Sequence, residues 1–290
     1  QRGGTFQPGG IILTAFDSAA LWVYEPENGR RYPLPETAPC GHGCRLSPDS
    51  RWILYLNSAT HAFNRMRLNG TDRRLVIESA IDVEWWGDNR YLVWTPAHNA
   101  YSFSDGGADR IEYNVHGISA VQPNGLWGLR VVINHAGDGF ERALIRLDVR
   151  DEQISLGVDL AYFNAHSWSH DGSMFAYSSP VDGDDGQSSE VFVIRPDQAE
   201  AQPRQITDLQ DEYGAVRING VAVGELNWSP DNTQIAYWVT PLNGDDPTVN
   251  TGAAKIHITN VISGETRSYC GFTTTETTPN PPRLIWSPDG

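Results

Sequence analysis

The chain has 290 residues, 39% of them apolar and 20% charged, with a formal net charge of −15. That charge disfavours a nucleic-acid partner, because the phosphate backbone is repelled. No apolar run approaches the ~18 residues of a membrane-spanning helix. The first residue is Gln1 rather than Met, so removal of a preceding segment is expected.

GIILTAF (10–16) reads as a strand, and LWVYEPENGRRYPL (21–34) as strand, turn, strand. CGHGC (40–44) follows. Its spacing is not that of haem attachment, and its two glycines would help so short a loop close. Three states stay open: a Cys40–Cys44 disulfide, free thiols, or a zinc site using Cys40, His42 and Cys44 with a fourth ligand from elsewhere. The disulfide is the expected one, and it implies an extracytoplasmic location with Cys270 unpaired.

Next come RLSPDSRWILYL (45–56), EWWGDNRYLVW (84–94) and VQPNGLWGLRVV (121–132), then WSHDGSMFAYSS (168–179), WSPDNTQIAYWV (228–239) and the closing PRLIWSPDG (282–290). Aligned on Asp49, Asp88, Asn124, Asp171, Asp231 and Asp289, they repeat at spacings of 39, 36, 47, 60 and 58 residues. Three residues before each anchor stands Leu46, Trp85, Val121, Trp168, Trp228 or Trp286. Four and six residues after it come Ile53 and Tyr55, Leu92 and Trp94, Phe175 and Tyr177, Ile235 and Tyr237. Offsets of period two predict a strand with one face packed inward, entered through a Pro-Asp turn. The repeat at 124 is the weakest, with Gly128 and Arg130 in those places.

A second hairpin follows each of the first five repeats, at 63–77, 100–115, 143–156, 190–207 and 255–269, several with Asn-Gly or Gly-Gly turns. No segment carries a helical period. These units predict an all-β chain: a six-bladed β-propeller of four-stranded antiparallel blades, forming a single domain over 1–290. A β-sandwich does not require repeats of this period. The W-S-P-D-G turn followed by an apolar-aromatic strand resembles the TolB-type, WD40-like propeller family. The resemblance is strong at 168–177, 228–237 and 286–290, and fair at 46–55 and 85–94. It implies the fold. It leaves function open, since that family includes scaffolds, non-catalytic propellers beside peptidase domains, and some enzymes.

The last repeat stops after its turn, and the chain opens on a strand that would come second in a blade. Residues 282–287 are therefore expected to pair with 10–16 and close the ring, removing an open sheet edge. FQPGG (6–10) is a faded copy of the same turn, which leaves a second reading, a complete first blade and a truncated seventh, beside the six expected.

On this map, His61, His98 and His135 follow the second strand of three successive blades, while His42 and His116 lie between blades and His166 starts an innermost strand. These six share one face. VDGDDG (181–186) and NGDDP (243–247) bring Asp182, Asp184, Asp185, Asp245 and Asp246 to the same face. The expected function is a non-catalytic, extracytoplasmic scaffold or protein-interaction module. Its partner would be a protein with a basic surface patch, with no nucleic acid and no membrane-spanning segment involved. The alternatives are a lyase or hydrolase using His166, His116 and His42 with these acids, or a face that binds a ligand or a divalent metal ion. VDGDDG departs from the calcium-loop pattern at Gly186 and Gln187. No nucleophile elbow, zinc-protease or phosphate-loop motif is present. QDEYGAVRINGVAVG (210–224) has two readings: a docking loop, or an extra strand packed on the protein's own surface.

Overall fold

A computed structural model describes residues 11–13, 21–25, 29–34, 45–47, 51–57, 59–86, 90–95, 100–105, 107, 109–113, 118–123, 125–133, 139–149, 151–159, 165–180, 189–214, 216–218, 226–241, 253–273, 284 and 286. Contacts divide the chain into two compact units, Gln1–His116 and Gly117–Gly290.

In the first unit, Ile11–Leu13, Leu21–Glu25 and Arg30–Leu34 form a three-stranded sheet. Two four-stranded sheets follow. The second consists of Arg45–Leu46, Trp52–Leu56, Phe63–Arg67 and Arg74–Ile77. The third consists of Asp82–Trp85, Arg90–Trp94, Ala100–Ser104 and Ile111–Tyr113.

In the second unit, the fourth sheet is Ile118–Val121, Trp127–Ile133, Phe140–Arg146 and Gln153–Asp159. The fifth is His166–Trp168, Phe175–Ser179, Glu190–Ile194 and Arg204–Gln205. The sixth is Asn227–Trp228, Gln234–Pro241, Ala253–Asn260 and Thr266–Thr273, with Val216–Ile218 added beside Gln234–Pro241. Every pairing among the described strands is between antiparallel neighbours.

The second strands are buried on both faces, not on one. Phe175–Ser179 is buried at every position. Phe175, Tyr177 and Ile194 pack with Trp127, Leu129 and Leu144 of the fourth sheet. Ala176, Val191 and Val193 pack with Trp228, Ile235 and Tyr237 of the sixth. A sheet stacked between two others has no solvent face, so the residues between the repeat positions are apolar too. The first unit does the same: Ile53 and Tyr55 pack with Leu34, and Leu54 packs with Val83, Tyr91 and Val93. In the weak repeat, Trp127 and Leu129 face the fifth sheet. A Cβ on Gly128 would come within 3.0 Å of the Ile118 side chain, so this strand approaches its neighbour through glycine.

The repeated motif is a set of hydrogen bonds. Ser229 Oγ accepts the Gln234 N–H at 2.9 Å and donates to Asp231 Oδ1 at 2.6 Å, and Asp231 Oδ1 accepts the Thr233 N–H at 3.0 Å. In the preceding repeat Ser169 Oγ accepts the Met174 N–H at 2.9 Å and donates to Asp171 Oδ1 at 2.7 Å, which accepts the Ser173 N–H at 3.0 Å. At 122 a glutamine replaces the serine, and its Oε1 accepts the Leu126 and Trp127 N–H groups. Its Nε2 donates to Gly172 O at 2.9 Å. Gly172 has φ +73°, and a Cβ there would lie 2.2 Å from Pro123 O, so only glycine lets these turns meet.

The tryptophans stitch one sheet to the next. Trp85 Nε1 donates to Arg45 O at 2.9 Å, Trp228 Nε1 to Ser167 O at 3.2 Å, and Trp286 Nε1 to Asn227 O at 2.8 Å. Each acceptor directly precedes the residue that matches that tryptophan in the preceding repeat. Trp168 is the exception: its buried Nε1 has no partner, and the corresponding carbonyl, that of Ala120, lies at a register irregularity.

Candidate functional site

Of the eight histidines, His61, His166, His170 and His257 lie among the described residues. His61 sits at φ +55° in the turn after Trp52–Leu56. Asn57 Oδ1 accepts the Ala59 and Thr60 N–H groups there, and the His61 N–H reaches Asn57 O at 2.9 Å. The imidazole is exposed. His166 opens the first strand of the fifth sheet opposite Tyr177, half-buried, its ring 6.1 Å from that of Phe175. His42, His98, His116 and His135 lie outside the described residues, as do Asp182, Asp184, Asp185, Asp245, Asp246 and the Cys40–Cys44 pair. Among the described residues, no group of three or more His, Cys, Asp or Glu is placed to hold a metal. No described helix is long and apolar enough to cross a membrane.

His170 is on the opposite side, in the turn of its repeat. Its N–H donates to Asn232 Oδ1 at 2.8 Å, and its Nε2 lies 3.2 Å from Trp228 O. It joins the turns of the fifth and sixth sheets. Burial opposes ionisation of Asp171, but bonds from Ser169 and Ser173 outweigh it and hold the carboxyl below its ordinary range. The Ser229 hydroxyl and Thr233 do the same for Asp231. These carboxylates are committed to turns.

Sequence reasoning missed a polar cluster at the junction of the fifth and sixth sheets. Glu190, 1% exposed, accepts the N–H of Leu209 at 2.9 Å and of Gln210 at 2.8 Å, together with the Thr207 hydroxyl. It caps the helix Leu209–Tyr213, a five-residue element. So short a helix has no period to read, which is why none was expected. At its other end Tyr213 OH lies 3.1 Å from His257 Nε2, and Ser268 Oγ lies 3.1 Å from the same nitrogen. The His257 ring stacks on Tyr237 at 5.9 Å, whose hydroxyl meets Thr259 Oγ1 at 2.8 Å. Burial pushes the His257 pKa down, with the Lys255 backbone and Glu212 pulling the other way, which favours the neutral ring, and its Nε2 meets both hydroxyls. In KIHIT (255–259) the isoleucines suggest the buried face, yet His257 and Thr259 are wholly buried. Their partners come from elements far off in sequence, so no local signal marks them. After the helix, Val216–Ile218 pairs with Val239–Pro241. The segment 210–224 thus supplies an extra strand to the chain's own sheet.

Arg142 ties the fourth sheet to the rim end of the fifth. It is buried, donating from Nη1 to Ser178 O at 2.6 Å and from Nη2 to Ser179 Oγ at 2.8 Å. The sequence VDGDDG begins two residues after Ser179.

No known protein family matches the chain, and no curated protein matches it. Solved structures do. The β-propeller domain of the Trilobed protease from Pyrococcus furiosus aligns at TM-score 0.55 and 11% identity, over 88% of this chain and 79% of that one. Pyrococcus horikoshii acylaminoacyl peptidase aligns at TM-score 0.55 and 12% identity, over 90% of this chain and 43% of that one. The chain has a β-propeller fold. It spans under half the length of that peptidase. A putative TolB from Agrobacterium tumefaciens aligns at TM-score 0.48 and 16% identity, over 90% of each chain. At these identities the likeness is one of propeller architecture, whose sheets radiate from a centre and whose connecting loops carry specificity.

Proposed function

We propose that this chain is a non-catalytic, TolB-type propeller of six blades that docks a protein. The docking surface is the rim bearing the connections between second and third strands. The observation that carries this reading is how the described ionisable groups are used. Asp171, Asp231, Glu190, His170 and His257 are each engaged in turns, a helix cap or an interblade bond. On the rim the sequence places Asp182, Asp184, Asp185, Asp245 and Asp246, on a chain of net charge −15. Such a surface steers a basic partner and rejects an acidic one.

The test uses the partner recovered by proximity labelling in the source cells, identified and purified. Asp184→Lys with Asp185→Lys is expected to slow association at low salt and flatten its salt dependence. The melting temperature should stay unchanged, since solvated loop charges shift stability by less than about 0.5 kcal/mol. Association indifferent to these changes, yet abolished by substitutions in the turns 69–72 or 105–109, would put the docking face on the opposite rim.

A further inference from the structure

The connection between the third and fourth strands of the fifth sheet, residues 195–203, runs between two grooves of opposite charge. The groove toward the fourth sheet is lined by Glu152 and Glu200 and by no basic side chain. The groove toward the sixth sheet, about 450 Å³, is lined by Arg195 and Arg204 and by no acidic side chain. All three sheets belong to one compact unit. The register puts the walls of the second groove on facing surfaces. Val193 pairs with Arg204, and Val191, Val193 and Arg195 alternate onto one face of the fifth sheet. Val193 and Met174 pack into the core shared with the sixth sheet, and Val261 enters that core from the sixth sheet's side. Ile262, next to Val261, lines the groove and is 71% exposed. Arg204 Nη2 donates to Val261 O across the groove, which fixes a guanidinium that has further N–H groups to offer. Arg195 is exposed, and among the described residues it has no ion-pair partner. Residues 117–290 carry 23 acidic and 10 basic side chains, and Arg142, Arg146 and Arg267 of that unit are bonded within the protein. An unpaired arginine beside exposed apolar surface stands out against this background.

We propose that this groove docks a protein segment in which an aspartate or glutamate stands next to an apolar side chain. The site goes beyond the docking reading above: it lies at the opposite rim and takes the opposite charge. Arg195 and Arg204 receive the carboxylate, for which the planar, weakly hydrated guanidinium is suited. The apolar side chain settles against Ile262 over Val193 and Val261, removing apolar surface from water. Arg195, Arg204 and Ile262 are all exposed, so the groove lies open. A small molecule there keeps much of its surface in water, whereas a protein segment brings neighbouring residues to cover it. The net charge of the unit opposes an acidic segment at a distance. At physiological salt, however, exposed charges more than about 8 Å apart are largely screened, so the arginines in contact decide. A basic segment would cover Arg195 without pairing it, a desolvation penalty that a carboxylate removes.

The groove is tested on the full chain by fluorescence anisotropy at about 0.15 M NaCl. The probe is a labelled octapeptide alternating leucine with glutamate, beside leucine–glutamine and serine–glutamate counterparts. The leucine–glutamate peptide is expected to bind, and each counterpart to bind at least about tenfold more weakly, having lost the carboxylates or the apolar side chains. Arg195→Gln is expected to weaken binding of the leucine–glutamate peptide about tenfold, and Ile262→Ser also weakens it. Arg267→Gln is the control. Arg267 pairs with Glu265 and stands opposite Ile258 in the register, a position that alternates away from the face bearing His257 and Thr259. It removes the same charge as Arg195→Gln and should change nothing. Melting temperatures of all variants should match the parent, separating lost binding from lost fold. Failure of the leucine–glutamate peptide to bind overturns the proposal. So does equal binding by Arg195→Gln, or an equal loss in Arg267→Gln, which would reduce the attraction to bulk charge. Equal binding of the serine–glutamate peptide overturns it too, since the apolar wall would then contribute nothing. None of these results bears on the acidic rim, whose test uses a basic partner.

Discussion

At the scale of single residues, His257 has the clearest energetic signature. Its ring is wholly buried, stacked on Tyr237 and bonded to Tyr213 and Ser268 through Nε2. Burial lowers its pKa, whereas in the unfolded chain an imidazole binds its proton near pH 6.5, about the ordinary value. Below that pH the unfolded state therefore holds more protons than the folded one, and stability falls as the pH falls, until the folded-state pKa is passed. Above pH 7 the effect is absent. The melting temperature should thus drop between pH 7 and pH 5 by more in the parent than in His257→Gln, which keeps a hydrogen-bonding side chain but cannot titrate. Equal drops in the two proteins would remove His257 as a source of acid sensitivity.

The turn that repeats along the chain is the informative unit at the scale of elements. Ser229 is 2% exposed, accepts the Gln234 N–H and donates to Asp231. Ser229→Ala strands that N–H at the start of Gln234–Pro241 and should cost about 1–3 kcal/mol, read from denaturant unfolding. An effect under about 0.5 kcal/mol would mean that the serine is incidental to the turn. This element was legible in advance, because serine, aspartate and the apolar positions lie within a dozen residues of one another and act locally. The helix Leu209–Tyr213 was not legible. It exists because a carboxylate 19 residues earlier, Glu190, accepts its first N–H groups, and five residues cannot display a period. Burial of both faces of the second strands was likewise hidden. Alternation marks a sheet with one wet face, and these sheets stand between two others.

At the scale of the whole molecule the open question is the ring. The described first sheet has three strands, with Ile11–Leu13 at its edge, and Trp286 is already seated on the sixth sheet through its bond to Asn227 O. In our reading the segment around Trp286 supplies the missing strand. A cysteine at Ile12, paired in turn with cysteines at positions 283, 284, 285 and 287, should form a disulfide at one position of the scan under mild oxidation and raise the melting temperature there. No bridge anywhere in the scan would rule out closure by this segment. The parent protein, denatured without reduction as the control, should show a single free thiol, that of Cys270, if Cys40 and Cys44 are bridged; three would refute the bridge.

Sequence by itself determined that this is a chain of repeated β-hairpins with tryptophan, serine and aspartate at fixed places, because those residues act on neighbours within their own turn or strand. It also set a formal net charge of −15, since charge adds up whatever the fold. Only the tertiary structure decided what the repeated tryptophans bond to, which is a carbonyl one repeat away. It also decided that His257 is a buried clasp with Tyr213 and Ser268, and that Arg195 and Arg204 share a groove with Ile262. Each of these depends on which distant segments are brought together, and burial and hydrogen bonding respond to that proximity in space and not to spacing along the chain.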